Sequence, residues 1–234
     1  MQFPSPLIKG LLIRRYKRFL ADVKLDDGEV VTAHCANPGS MKGVAEPGSE
    51  VWLSPATNPS RKLKYTWELV RVGRRLVGIN SSAPNALAEE AIKKAWIPEL
   101  ASYGSLRREV RYGANSRIDL LLEDAGKPRC FVEVKNVHLK RQPGLAEFPD
   151  AVTARGTKHL GELANVVAAG ERAVMLYLVQ RSDCDRFALA ADIDPTYAQA
   201  LAMAQASGVE AFVYACKITR RAIRVDRALP FDSL

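Results

Sequence analysis

The stretch "RCFVEVKNV", Arg129 to Val137, decides how the chain is read. Its Phe and Val content is that of a buried strand, yet Glu133 and Lys135 stand in its middle. Side chains alternate across a strand, so Phe131, Glu133 and Lys135 share one face while Val132 and Val134 share the other. An ion pair on a wetted face would account for the two charges if they stood alone. They do not: "SRIDLLL", Ser116 to Leu122, is a second apolar run with an acid, Asp119, inside it. Alternation there puts Ile118, Leu120 and Leu122 on one face and Arg117, Asp119 and Leu121 on the other.

A turn at "EDAGKP", Glu123 to Pro128, makes the two strands neighbours and brings Asp119 and Glu133 to one point, with Lys135 one pleat away. Two carboxylates so placed repel each other, and partial burial raises the cost unless a cation lies between them. Magnesium, or manganese in its place, suits such a position, with Asp119, Glu133 and the Val134 carbonyl as oxygen ligands and water completing the shell. The metal would polarise a phosphate and help generate hydroxide, while Lys135 stabilises the charge that develops. That chemistry is phosphodiester hydrolysis.

Outward from these strands, "NALAEEAIKKAWIPEL" has helical spacing, with Asn85 as its expected N-cap. "SLRREVRYG" is a third strand, "TARGTKHLGELANVVAAG" a helix ended by Gly170, and "RAVMLYLVQR" an apolar strand after it. The expected order is helix, three strands, helix, strand: a mixed-sheet α/β or α+β domain over residues 83–234. Residues 1–82 differ. Six short alternating runs, from "LIKGLLIRR" to "RRLVGIN", are separated by turn clusters such as "DDG", "NPGS" and "EPGS". That is an all-β pattern, and an OB-type barrel is the expectation, with an SH3-like barrel as the alternative.

The chain of 234 residues carries a net charge of +8, which favours an anionic partner. Most of the excess lies early: 13 Lys and Arg stand against 7 Asp and Glu through Asn80. Within "RRYKRF", Arg14, Arg15, Lys17 and Arg18 alternate with Tyr16 and Phe19, a combination suited to phosphates and stacked bases. Phe19 is expected to face the barrel interior. Arg155 and Lys158 at the start of the second helix could hold a further phosphate; pairing of Lys158 with Glu162 and a packed or capping His159 explain the same residues equally well. The four cysteines have no metal-binding spacing and read as reduced thiols, and no run is long enough to span a bilayer. A cytoplasmic protein without a membrane partner is expected.

The arrangement of Asp119, thirteen intervening residues and Glu133-x-Lys135 resembles the PD-(D/E)xK nuclease superfamily. The chain as a whole resembles the sugar fermentation stimulation protein A (SfsA) family, through "RYKRFLADV", "HCANPGSM", "TWELV", "NALAEEAI", "EVRYGANSRIDLLL", "FVEVKNV" and "FPDAVTARGTKHLGEL". The resemblance implies an OB-like domain followed by a nuclease-like domain, DNA binding, and a role in regulating sugar, especially maltose, utilisation. It places the nuclease-like centre on Asp119, Glu133 and Lys135 and a helix acid on Glu90, leaving Glu89 to face elsewhere. DNA bound largely irrespective of sequence is the expected partner, and the chain leaves room for a homodimer. A catalytically inactive, DNA-binding transcriptional regulator on the same fold and an RNA-binding OB protein are the competing readings. The absence of a helix-turn-helix signature in the sequence weighs against a sequence-specific regulator.

Overall fold

The computed structural model describes residues 1–113 and 116–232. Six strands come first: β1 (Ile8–Tyr16), β2 (Leu20–Leu25), β3 (Val30–His34), β4 (Glu50–Pro55), β5 (Tyr65–Val72) and β6 (Arg75–Gly78). They form one sheet in the order β3-β2-β1-β4-β5-β6, and a parallel pairing of Ala33 with Tyr65 and His34 with Thr66 joins β3 to β5. That pairing closes a five-strand OB barrel and leaves β6 outside the closure. Leu12, Val23, Leu53, Trp67 and Val70 fill it. Gly10 is required where β1 crosses β2, because a Cβ there would meet Val23 Cγ1 at 2.5 Å. Phe19 departs from the expected inward orientation. It is 47% exposed, because it lies just beyond the tight turn at Lys17 and Arg18 rather than within the alternating part of either strand.

The second domain runs α1 (Pro84–Lys93), β7 (Ser105–Tyr112), β8 (Ser116–Glu123), β9 (Cys130–Val137), β10 (Leu139–Gln142), β11 (Gly144–Phe148), α2 (Ala154–Ala168), β12 (Arg172–Val179), β13 (Cys184–Leu189), α3 (Pro195–Ala206), β14 (Glu210–Ile218) and β15 (Ile223–Ala228). The main sheet has the order β15-β14-β12-β9-β8-β7, with β9, β12 and β14 parallel. Helix α1 covers one face through Leu87, Ala88 and Ala91, and α2 and α3 cover the other through Leu160, Leu163 and Leu201. Strands β10 and β11 interrupt the expected passage from β9 to the second helix; they join β13 in a small three-strand sheet. Their sequence, "LKRQPGLAEF", is short and mixed in polarity, and it becomes strand only because β13 supplies a parallel edge.

Asn85 does not cap α1. Ala83 holds the N-cap position without a side-chain bond, and Pro84 begins the helix. Helix α2 does have a side-chain cap, Thr153 Oγ1 accepting from the Gly156 N–H at 3.1 Å. All four cysteines are buried and free. Among the described residues no helix is long and apolar enough to cross a membrane.

Candidate active site

The antiparallel ladder between β8 and β9 pairs Leu122 with Cys130, Leu121 with Phe131 and Leu120 with Val132, and ends there. One step further it would oppose Asp119 and Glu133. Instead the Val134 N–H donates to Asp119 Oδ2 at 2.8 Å, a side chain replacing a main-chain partner. Asp119 Oδ1 accepts from Asn85 Nδ2 at 2.9 Å, so this carboxylate ties β8, β9 and the start of α1 together. Both donors are neutral. Burial, and then repulsion from Glu133, push the Asp119 carboxyl above its ordinary value despite those two bonds.

The opposite flank of β8 is irregular as well. Arg108 pairs with Leu120 and Val110 with Ile118, but between them Glu109 adopts φ +53°. The alternation is reset at this point: Leu120 and Leu122 pack in the core under α1, whereas Ile118 packs under α2. The expected sharing of one face by Ile118, Leu120 and Leu122 therefore fails, because the kink turns the strand over just where Asp119 is presented. A left-handed conformation at a non-glycine residue costs about 1–3 kcal/mol and tends to persist at functional sites. Asn85 Nδ2 also reaches Glu109 Oε1, at 3.3 Å, and so bridges the two acids.

Glu133 is only 3% exposed. Its Oε1 accepts from Lys135 Nζ at 2.7 Å and is in short contact with His159 Nδ1, while its Oε2 is buried without a partner. Burial drives the carboxyl upward, but His159 and Lys135 outweigh it and hold Glu133 below the usual glutamate value. His159 Nε2 faces Arg155 Nε at 3.4 Å, so Nε2 is the acceptor and Nδ1 carries the proton toward Glu133. Tyr112 Oη and Glu162 Oε2 are also buried without partners. Burial and the nearby charges of Glu133, Glu162 and Asp119 push the Tyr112 phenol upward, which places all four groups in one electrostatic neighbourhood.

Three residues expected at the centre, Asp119, Glu133 and Lys135, meet across the split between β8 and β9. Val134 enters through its N–H. Glu90 is a correction: it binds Lys94 and the Met1 amino group, which also donates to Ile223 O on β15, at the far edge of the sheet. At 100° per residue Glu90 lies about 140° around the helix from Asn85. Glu89, four residues after Asn85, is the acid on the β7 side and pairs with Arg108 at 3.6 Å as well as with Lys93.

Of the expected nucleic-acid contacts, Arg14 pairs with Asp22 and lies over the Tyr16 ring. Arg15 turns inward and donates to the carbonyls of Asn37 and Gly39, so its role is to hold that loop. Lys17 and Arg18 occupy the exposed turn of the β1–β2 hairpin, with φ values of +49° and +63°. Arg155 and Lys158 are exposed on the first turns of α2, where Lys158 approaches Glu162 at 3.5 Å. The loop gripped by Arg15 connects the two regions: Ser40 Oγ and the Met41 N–H donate to Asp150, four residues before α2. Burial raises the Asp150 carboxyl, but His138, Met41 and Ser40 together hold it down to about 2.

Asn85, Glu109, Tyr112 and Glu162 are the site residues that sequence reasoning missed. The early acid in "SLRREVRYG" reads as one charge among several on a wetted strand, and only its backbone conformation distinguishes Glu109. In the sequence Glu162 reads only as a partner for Lys158.

Comparison with known proteins agrees with this architecture. The family model for the sugar fermentation stimulation protein RE domain matches residues 82–222, and that for the SfsA N-terminal OB domain matches residues 13–79. A sugar fermentation stimulation protein homolog of Paramagnetospirillum magneticum is 61% identical, with 99% of this chain and 98% of the relative covered. A homolog from Maricaulis maris is 60% identical, with 98% and 97% covered. The solved structure of Pyrococcus furiosus SfsA in complex with Ca2+ superposes with a TM-score of 0.90 at 26% identity, covering 100% of this chain and 98% of that one. With both domains matched in order and relatives aligned over nearly their whole length, the chain belongs to the sugar fermentation stimulation protein (SfsA) family.

Proposed function

We propose that the chain is a DNA-binding protein with a divalent-metal-dependent, phosphodiester-hydrolysing centre, acting largely irrespective of sequence. The observation that carries this reading is Glu133: a buried carboxylate whose one oxygen is fixed by Lys135 and His159 and whose other oxygen has no partner, beside an Asp119 that burial and then the charge of Glu133 keep hard to ionise. A buried oxygen without a partner calls for a water or an ion. Among the described residues no three acidic, His or Cys side chains are grouped closely enough to cage a metal. Two carboxylates with water and substrate phosphate completing the shell nevertheless match magnesium's habits. Asp119 and Glu133 would hold the ion, with the Val134 carbonyl as a further oxygen; Glu90 is not used. The ion's contribution is Lewis-acid polarisation of the phosphate and a lower pKa for bound water. The structure of the Pyrococcus furiosus relative, solved in complex with Ca2+, supports a divalent-metal reading.

The chain's own groups supply the rest. Lys135 places its side-chain amine beside the place where negative charge would grow during attack on phosphorus. His159 holds Oε1 and so leaves Oε2 for the cation. Lys17 and Arg18 at the barrel hairpin, with Arg155 and Lys158 on α2, offer cations to the phosphates on either side. Phosphate contacts position a duplex without reading it, hence the weak sequence preference. A role in sugar utilisation rests on the name of the relatives.

The test is cleavage of plasmid and linear DNA by highly purified protein with magnesium or manganese. Wild type should nick or degrade DNA, Lys135→Ala should lose about two orders of magnitude in rate, and Glu133→Gln should be inactive, while all three shift DNA alike in a gel. Equal cleavage by all three would assign the activity to a contaminant. No cleavage by any, across several DNA forms and metals, would favour a binder that regulates without cutting.

A further inference from the structure

A second cationic region lies away from the centre, where the barrel meets the other domain. The β5–β6 turn, held by Gly73 at φ +57°, presents Arg74 and Arg75 to solvent. Across a cleft of about 450 Å³ stand Lys140, Arg181 and Asp183. Both walls are fixed by main-chain pairing: the Gly78 N–H donates to Gln180 O at 3.0 Å, and Val77 bridges Arg181.

The acids of this region are already engaged. Asp183 Oδ1 accepts from Arg181 Nε at 2.9 Å, and its Oδ2 accepts from Lys140 Nζ at 2.7 Å and Arg181 Nη2 at 3.0 Å. Arg141, at the rim, is held by Glu147 and Asp192. Arg74 and Arg75 have no carboxylate partner among the described residues. Two adjacent exposed guanidiniums over a wall whose acid is neutralised form a site for an anion with more than one negative group.

We propose that this cleft binds the phosphodiester backbone of a nucleic acid, as a subsite separate from the catalytic centre. The inference rests on the DNA-binding reading and extends it. Lys140 follows Lys135 by five residues, a reach of at most about 18 Å for extended chain. A duplex strand presents a phosphate about every 3.4 Å along its axis. One duplex can therefore reach from the centre to the cleft in about five nucleotides.

The experiment is fluorescence anisotropy with a labelled duplex of about 30 base pairs in EDTA, across a salt series. Arg74→Gln with Arg75→Gln should lower the slope of log affinity against log salt by about 2. It should leave the metal-free thermal midpoint, and its rise with magnesium or manganese, unchanged. Lys17→Ala with Arg18→Ala, run alongside, reports separately on the barrel hairpin. An unchanged slope in a folded Arg74/Arg75 variant overturns the subsite, as does loss of the metal-induced rise in that variant, which would put these arginines at the centre itself. Failure of wild type to bind the duplex at low salt removes the DNA reading and the subsite together.

Discussion

The two sides of the split between β8 and β9 treat their carboxylates in opposite ways. On the β8 side Asp119 is only partly buried, yet its donors, Asn85 and the Val134 N–H, are neutral, and its carboxyl is hard to ionise. On the β9 side Glu133 is almost wholly buried, yet Lys135 and His159 hold it and its carboxyl ionises easily. Depth of burial alone would have ranked the two the other way. What differs is the charge of the nearest donors, because a cation counters desolvation where a neutral N–H only moderates it. The result is one firmly anionic acid beside one whose charge is uncompensated. That inequality makes Asp119 the group with most to gain from a bound cation.

The contrast breaks most sharply at His159. His159→Ala should destabilise the protein by about 2–4 kcal/mol, since it removes a buried bond to a charged group and leaves a void. Asn85→Ala should cost only about 1 kcal/mol. Urea unfolding of both variants decides it, and equal losses would dissolve the distinction.

Magnesium or manganese at about 100 times its dissociation constant should stabilise the protein by about 2.7 kcal/mol, seen as a raised thermal midpoint. Because Asp119 must ionise to bind the metal and its carboxyl is raised, the metal-induced shift should weaken on acidification sooner than an ordinary aspartate would allow. Without metal the sign is reversed: folding is favoured at low pH by the proton Asp119 retains, and that contribution is lost as pH rises through its folded value. Asp119→Asn should abolish the metal shift and flatten this dependence. An undiminished shift in that variant would locate the ion elsewhere.

Asp150 supplies a carboxylate of the opposite sign for comparison. Its folded value of about 2 lies below the ordinary 3.8, so its stabilisation is present above the ordinary value and is lost as pH falls through about 2. Asp150→Asn should cost about 2 kcal/mol at neutral pH, with the difference from wild type shrinking in acid. A pH-independent difference would mean that the contact between barrel and α2 depends on shape and not on charge.

The smallest effect is expected at Lys158, whose pair with Glu162 is long and exposed on the lysine side. Lys158→Ala should change stability by less than about 0.5 kcal/mol while lowering the salt slope of DNA binding by about 1. A stability loss without a change in slope would leave Lys158 as a helix-surface partner only.

Features encoded within a few residues could be read directly. Six alternating runs bounded by Gly, Pro, Asn and Asp became β1 to β6, because period-two patterning and turn chemistry are local properties. The misplaced charges in "SRIDLLL" and "FVEVKNV" mark Asp119, Glu133 and Lys135 for the same reason: an acid inside an apolar strand stands out without knowledge of its neighbours. Only the tertiary structure decided which side of α1 faces the centre. The rotation of α1 over the sheet is set by Leu87, Ala88 and Ala91 packing beneath it, and that rotation sends Glu90 toward β15 and Asn85 toward Asp119. The kink at Glu109, which turns β7 and β8 over beside Asp119, is likewise invisible to a pattern that assumes unbroken alternation. So is the bond from His159 to Glu133, which joins positions 26 residues apart and exists because α2 packs across β9. Periodicity reports which face a residue occupies within its own element; the meeting of two elements depends on how their cores interlock, and no single stretch of the chain contains that information.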